Sequence, residues 1–306
     1  MATHAPPSDP QAPVTESPAE ETVAAVETTA PRKRLGGRHG IVFWIAVAWL
    51  SMIAFFAATA QWLPVQDPNE LNIGRMLERP SPDHWLGTDG TGRDIFARII
   101  YGARVSVVVS LSAITIGMVV GGTLGMAVGF FRGRLETIVM AVVDVILAFP
   151  GLVLLLALVA YVGQNLTAIA VVIGFLSIPI YTRVARANTL SVAQREFILA
   201  ARAMGASRRR LLFAEVLPNV ILPVLAYGLV AMGVIIILEG SLAFLGLSVE
   251  PPTATWGGMI AEGKRHLRTG PYVAMIPAFV MFLTVLSLNF VGDRLRGGLD
   301  VREGNV

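Results

Sequence analysis

A chain of 306 residues that is 54% hydrophobic and only 15% charged cannot clothe a water-soluble domain, which carries about a quarter of its residues as charge. Its mean hydropathy of +0.66 and pI of about 9.6 reflect apolar blocks flanked by arginine, a pattern that orients membrane helices rather than one that grips nucleic acid. With no cysteine, the sequence excludes disulfides, thiolate metal sites and cysteine nucleophiles.

Residues 1–31 hold five acids and no lysine or arginine among proline, alanine and threonine, a composition that predicts a disordered tail. The run RKRLGGRHG (32–40) closes this 1–40 segment with positive charge. The block 41–63 is too long for a signal-peptide core and lacks a small-residue cleavage site, so it reads as a first transmembrane helix. Residues 64–104 are expected to form an extracytoplasmic loop. Further apolar blocks at 105–130, 137–161, 166–184, 219–240 and 273–292 bring the spans to six. The last five make a core over 105–292, interrupted by a polar segment at 185–218 and followed by a tail at 293–306. With the amino terminus inside, sixteen of the 24 lysines and arginines fall on the cytoplasmic side and eight outside, which places both termini in the cytoplasm. The five arginines of the 64–104 loop run against that rule.

Within the second span, Gly117, Gly121, Gly125 and Gly129 recur at every fourth residue. They strip side chains from one helix face and predict close approach of another helix. Asp144 lies six residues before Pro150 in the third span, and Glu239 lies near the outer end of the fifth. A carboxylate in lipid costs about 2.5–3.5 kcal/mol, so both should face protein or water. Each is a transport-path or gating candidate, or else a structural group; for Asp144 the structural partners would be Arg132, Arg134 or backbone donors. GMIAEGKR (258–265) follows a phosphate-loop pattern only as far as its lysine: Arg265 stands in place of serine or threonine, and no strand precedes it. His4, His39, His84 and His266 lack the spacing of a metal site. No catalytic constellation emerges, and no cofactor is expected to bind this chain.

The polar segment contains EFILAARAMG (196–205). Phe197, Ala200, Ala201 and Met204 share one small apolar helix face, with Arg195, Ile198, Leu199 and Arg202 around the rest. Gly205 suits a left-handed helix stop, and Ser207 suits the cap of a second helix that begins with Arg208, Arg209 and Arg210. The alternative is an interfacial helix whose arginines hold lipid phosphates.

This segment, with LPN at 217–219, resembles the EAA motif of ABC importer permeases. HWLGTDGTGRDIFARIIYGARVS (84–106), EGSLAFLGLSVEPPTATWGGMI (239–260) and LNFVGDRLRGGLDVR (288–302) are similar to signatures of the C-type subunit of dipeptide, oligopeptide and nickel permeases. The resemblance covers nearly everything after residue 40. It implies an all-α polytopic fold: six transmembrane helices, a five-helix permease core and a cytoplasmic coupling helix containing Glu196, Phe197, Ala200, Ala201, Met204 and Gly205. It further implies a bacterial inner-membrane location, a second (B-type) permease subunit, two ATPase subunits or domains that hold ATP and Mg, and an extracytoplasmic solute-binding protein. The expected function is ATP-driven import of dipeptides or oligopeptides by alternating access. Nickel or another small ligand is the alternative within the family. A proton-coupled transporter, or an intramembrane enzyme pairing Asp144 with Glu239, is the alternative outside it.

Overall fold

The structure is a computed structural model and describes residues 40–303. The tail at 1–31 and the basic run up to His39 therefore lie outside the described residues. Among those described, helices carry the architecture and no strand forms beyond an isolated bridge between Thr88 and Asp94.

In chain order the main helices are α1 (Ile41–Thr59), α2 (Ile95–Phe131), α3 (Arg134–Ala148), α4 (Gly151–Val162), α5 (Leu166–Val192), α6 (Glu196–Ala203), α7 (Arg208–Phe244), α8 (Trp256–Gly263) and α9 (Tyr272–Glu303). Five of these (α1, α2, α5, α7 and the Tyr272–Gly297 part of α9) are long and apolar enough to cross a bilayer. The third apolar block, expected as one helix over 137–161, is instead two helices bent by 87°. Pro150 accounts for the break. It has no N–H to continue the ladder, and it drives Phe149 into extended backbone at φ −76° and ψ 139°.

The second correction concerns where α2 begins. Residues 95–104 were expected in the loop, yet the helix starts at Ile95, where the Asp94 carboxylate accepts a 2.7 Å bond from the Ala97 amide. Arg98 joins this first turn and is only 2% exposed, because acidic partners from elsewhere neutralise it.

α2 packs chiefly on α5 and α7 on α9, while α1 leans on α2 and α9. Trp49 of α1 donates to the Thr284 hydroxyl of α9 at 3.1 Å. The main core gathers Val109 and Ala113 of α2, Ile169 and Ile173 of α5, and Val220, Val224 and Leu242 of α7. α3 is the exception: only Val143 of it is buried. Short π-helical turns at Gly117–Gly121 and Leu211–Val216 interrupt α2 and α7. One lies at the start of the glycine stripe and the other directly after the arginine run.

Candidate functional site

α6 begins at Arg195, whose backbone is extended, and carries Glu196 in its first turn and Arg202 in its last. Both charges complement the helix dipole. The helix then stops at a two-bond motif: the Ala206 amide donates to the Ala201 carbonyl and the Gly205 amide to the Arg202 carbonyl, each at 3.0 Å. Gly205 has φ +85°, and a Cβ built on it would meet nothing within 4 Å. Backbone conformation, not lack of room, is therefore what requires glycine here. Two residues on, the Ser207 hydroxyl accepts from the Arg210 amide at 3.4 Å, and α7 sets off through three exposed arginines.

Ile198, with none of its surface exposed, anchors α6 in the main core. Sequence periodicity assigned it no such role, grouping it with Arg195, Leu199 and Arg202 around the rest of the helix. With Ile198 turned inward, Phe197 is 40% exposed and Met204 83%. Ala200 is also exposed, and Ala201 is half-buried. An apolar face on a short, polar-flanked helix is thus open to another molecule.

Beside α6 lies a cavity of about 370 Å³ lined by Phe130, Phe131, Arg202, Ala206, Arg208 and Leu211. It sets the end of α2 next to the α6–α7 turn, so the glycine stripe terminates where α6 is attached. Along that stripe the backbones of α2 and α5 nearly touch. A Cβ at Gly117 would lie 2.7 Å from the Tyr181 ring, and one at Gly129 2.9 Å from Thr189 Cβ. At Gly121 and Gly125 it would overlap the carbonyl oxygens of Ile178 and Thr182. Gly122, one residue off the stripe, has nothing within 4 Å.

Asp144 and Glu239 are not brought together. The Asp144 carboxylate pairs at 2.5 Å with Arg183 of α5, not with Arg132 or Arg134, and the two side chains are 59% and 52% exposed. Within this chain the Asp144 carboxylate is left largely uncovered, because α3 is lightly packed. A second pair, Arg186 with Glu136, joins the same two helices nearer their ends. Glu239 is 1% exposed and accepts from the Ser248 hydroxyl at 2.9 Å, which fixes the turn after α7.

At the end of the bundle opposite α6, a cluster missed by sequence reading ties the 60–94 loop to α8. Arg93 reaches Asp89 at 2.7 Å and Glu262 at 2.6 Å. Arg98 lies 3.6 Å from Asp89 and 3.5 Å from Glu262, and it donates to the Pro68 carbonyl at 3.2 Å. Burial alone would raise the Asp89 pKa. Hydrogen bonds from the Thr91 hydroxyl and amide, with the Arg93 charge and amide, outweigh it and hold the carboxyl below its usual range. His84 bonds Asp94 at 2.9 Å, and fully buried Trp256 donates to the Ile99 carbonyl at 3.0 Å. Three of the five loop arginines that ran against the charge rule are thus paired, since Arg75 also meets Asp83 at 3.1 Å. The phosphate-loop-like GMIAEGKR is α8 followed by a 3-10 turn, so its backbone amides are engaged in helix.

The family model described as binding-protein-dependent transport system inner membrane component matches residues 117–303. The glutathione transport system permease protein GsiD of Pectobacterium atrosepticum is 38% identical over 260 residues, covering 84% of this chain and 86% of that protein. The dipeptide transport system permease protein DppC of Alkalihalophilus pseudofirmus is 35% identical over 259 residues, covering 84% and 85%. Inward-facing structures of the MetNI methionine ABC transporter superpose with TM-scores of 0.55 and 0.56 at 19% and 18% identity. They cover 66% and 67% of this chain and 96% and 97% of the solved chains, a likeness of fold. With its apolar helices and its α6 turn, the chain belongs to the binding-protein-dependent transport system inner membrane components, as a multi-pass permease subunit of an ABC importer.

Proposed function

We propose that this permease subunit imports short peptides, dipeptides or peptides of glutathione size, by alternating access driven by separate ATPases. The substrate class rests on relatives named for glutathione and dipeptide transport. Both termini and α6 face the cytoplasm in this reading, as the distribution of arginines favours. A second, B-type permease completes the passage, an extracytoplasmic binding protein delivers the substrate, and two ATPase subunits hold ATP and Mg. ATP binding draws the ATPases together and pulls α6 with them. The cavity-lining contacts and the tight α2–α5 pair then transmit that movement into the membrane.

The observation that carries this reading is the outward apolar face of α6 on a helix fixed by Ile198 and by the Gly205 stop. Glu196, at the first turn, and Phe197, Ala200, Ala201, Met204 and Gly205 make the ATPase contact. The test uses the reconstituted complex with its binding protein. Ala200→Glu places a charge on an exposed position, so the subunit inserts normally, but the charge is desolvated when an ATPase groove closes over it. Association with the ATPase, or stimulation of hydrolysis by loaded binding protein, should fall at least roughly tenfold, the factor that 1.4 kcal/mol represents. Unchanged stimulation would remove α6 from the coupling role. Competition for binding by unlabelled dipeptide and by glutathione then separates the two substrate classes.

A further inference from the structure

The Asp144–Arg183 pair lies farther from the α6 end than its neighbour and yet is more exposed. Asp144 stands ten residues beyond the start of α3 at Arg134, and Arg183 nine before the end of α5 at Val192. At 1.5 Å per residue these are about 15 and 14 Å from the α6 end, and Arg183 stands at the close of the apolar block 166–184, in the α6-side part of the membrane. Glu136 and Arg186 lie closer to that end and are 20% and 32% exposed, against 59% and 52% for Asp144 and Arg183. Charges within an apolar span face protein or water because lipid cannot solvate them.

α3 adds an independent sign. Thr137, Ala141, Asp144 and Ala148 recur at i, i+4, i+7 and i+11 as an exposed stripe of small and polar residues. The adjacent stripe of Ile138, Val142 and Val145 is exposed, bulky and apolar. A membrane helix with two such faces divides lipid-like surroundings from water. Only Val143 of α3 is buried, and two ion pairs tie the helix to α5.

We propose that Asp144 and Arg183 line a water-filled passage in the α6-side half of the membrane, and that their ion pair latches α3 against α5 in one state of that passage. This rests on the importer-permease reading and names residues of its path. Pro150, six residues on, breaks the helical hydrogen-bond ladder, so α3 can swing from α5 without carrying α4 along.

The natural absence of cysteine supplies the background for the test. Single variants Ala141→Cys, Ala148→Cys, Val142→Cys and Val145→Cys are prepared in complexes that retain binding-protein-stimulated ATP hydrolysis, so failure here does not reflect on the importer reading. The probe is a charged, membrane-impermeant methanethiosulfonate, which reacts with the hydrated thiolate. Cysteines on the small-residue stripe should react at least about tenfold faster than those on the apolar stripe, because an apolar setting raises thiol pKa. Equal rates, or faster reaction of the apolar stripe, would overturn the passage. For the latch, Asp144→Asn and Arg183→Gln should each lower peptide transported per ATP hydrolysed, and the exchange Asp144→Arg with Arg183→Asp should restore it in part. Normal transport in both single variants, or no rescue by the exchange, would overturn the latch.

Discussion

The two ends of the bundle solve opposite problems. At one, α6 is held by a single buried side chain, Ile198, and by a glycine stop, with the rest of the helix turned outward. At the other, two loops and two helices close over Asp89, Arg93 and Arg98, groups that most proteins leave in water, with half-exposed Glu262 at their edge. Removing one member of such a cluster leaves an uncompensated buried charge, whereas replacing one residue on an open helix face disturbs only what that face later meets. The difference assigns rigidity to the α8 end and adaptable contact to the α6 end.

The sharpest way to break this comparison is at Asp89, where the largest effect is expected. Asp89→Ala leaves Arg93 and Arg98 facing Glu262 alone and should destabilise the subunit by about 3–5 kcal/mol, read as a fall in thermal midpoint in detergent. A small shift would mean that water reaches the cluster and that this end is as loose as the other. Acidity gives a second reading of the same site. Because the Asp89 pKa is lowered in the folded chain, its stabilisation is fully present above the unfolded value of about 3.9 and is lost as pH falls through the lower folded value. The difference in midpoint between wild type and Asp89→Asn should therefore hold constant from about pH 7 to pH 5 and shrink below about pH 4. A difference that already fades by pH 6 would show that Asp89 does not carry the cluster.

Between the two ends runs the glycine stripe, and its prediction is intermediate. Gly125→Leu must displace the Thr182 carbonyl and Ala185 of α5, an overpacking that costs about 1–3 kcal/mol and parts the helices. Gly122→Leu, where nothing lies within 4 Å, should stay close to wild type in both stability and assembly. If the two variants behave alike, α2 and α5 are not in the contact described, and the link between the ends has to run elsewhere.

Local rules made one end legible from sequence and left the other hidden. A positive-φ glycine after a helix, a serine before the next and a four-residue glycine period all depend on near neighbours, so Gly205, Ser207 and Gly117–Gly129 could be placed without a fold. Arg98 could not. The partners that allow an arginine to enter a buried helix include Glu262, which the Arg93–Glu262 bond brings in across 169 residues, so its segment was read as loop. Asp144 shows the same limit, since its partner Arg183 is 39 residues away and on another helix. The break at Pro150 was visible as a residue, but its 87° angle was not, because other prolines, such as Pro179 in α5 and Pro223 in α7, remain inside their helices.

The smallest expected change in stability, and the most telling one for the comparison, is Gly205→Val. A β-branched residue at φ +85° meets its own backbone and costs about 1–2 kcal/mol. The cost is local: the position is exposed, no side chain stands within 4 Å, and the Ile198 anchor is untouched. Relief comes by rotating the turn out of the left-handed region, which breaks the Ala206–Ala201 and Gly205–Arg202 bonds and re-aims α6 relative to α7. Membrane insertion and thermal midpoint should stay near wild type while binding-protein-stimulated ATP hydrolysis falls. Neutralising Arg208, Arg209 and Arg210 together should do less harm, because those residues are exposed and follow the turn rather than setting its backbone conformation. A lipid-anchoring role for the segment reverses that order, with the arginine variant severe and Gly205→Val mild. Measuring subunit ratio and stimulated hydrolysis in both purified complexes decides which end of the turn does the coupling.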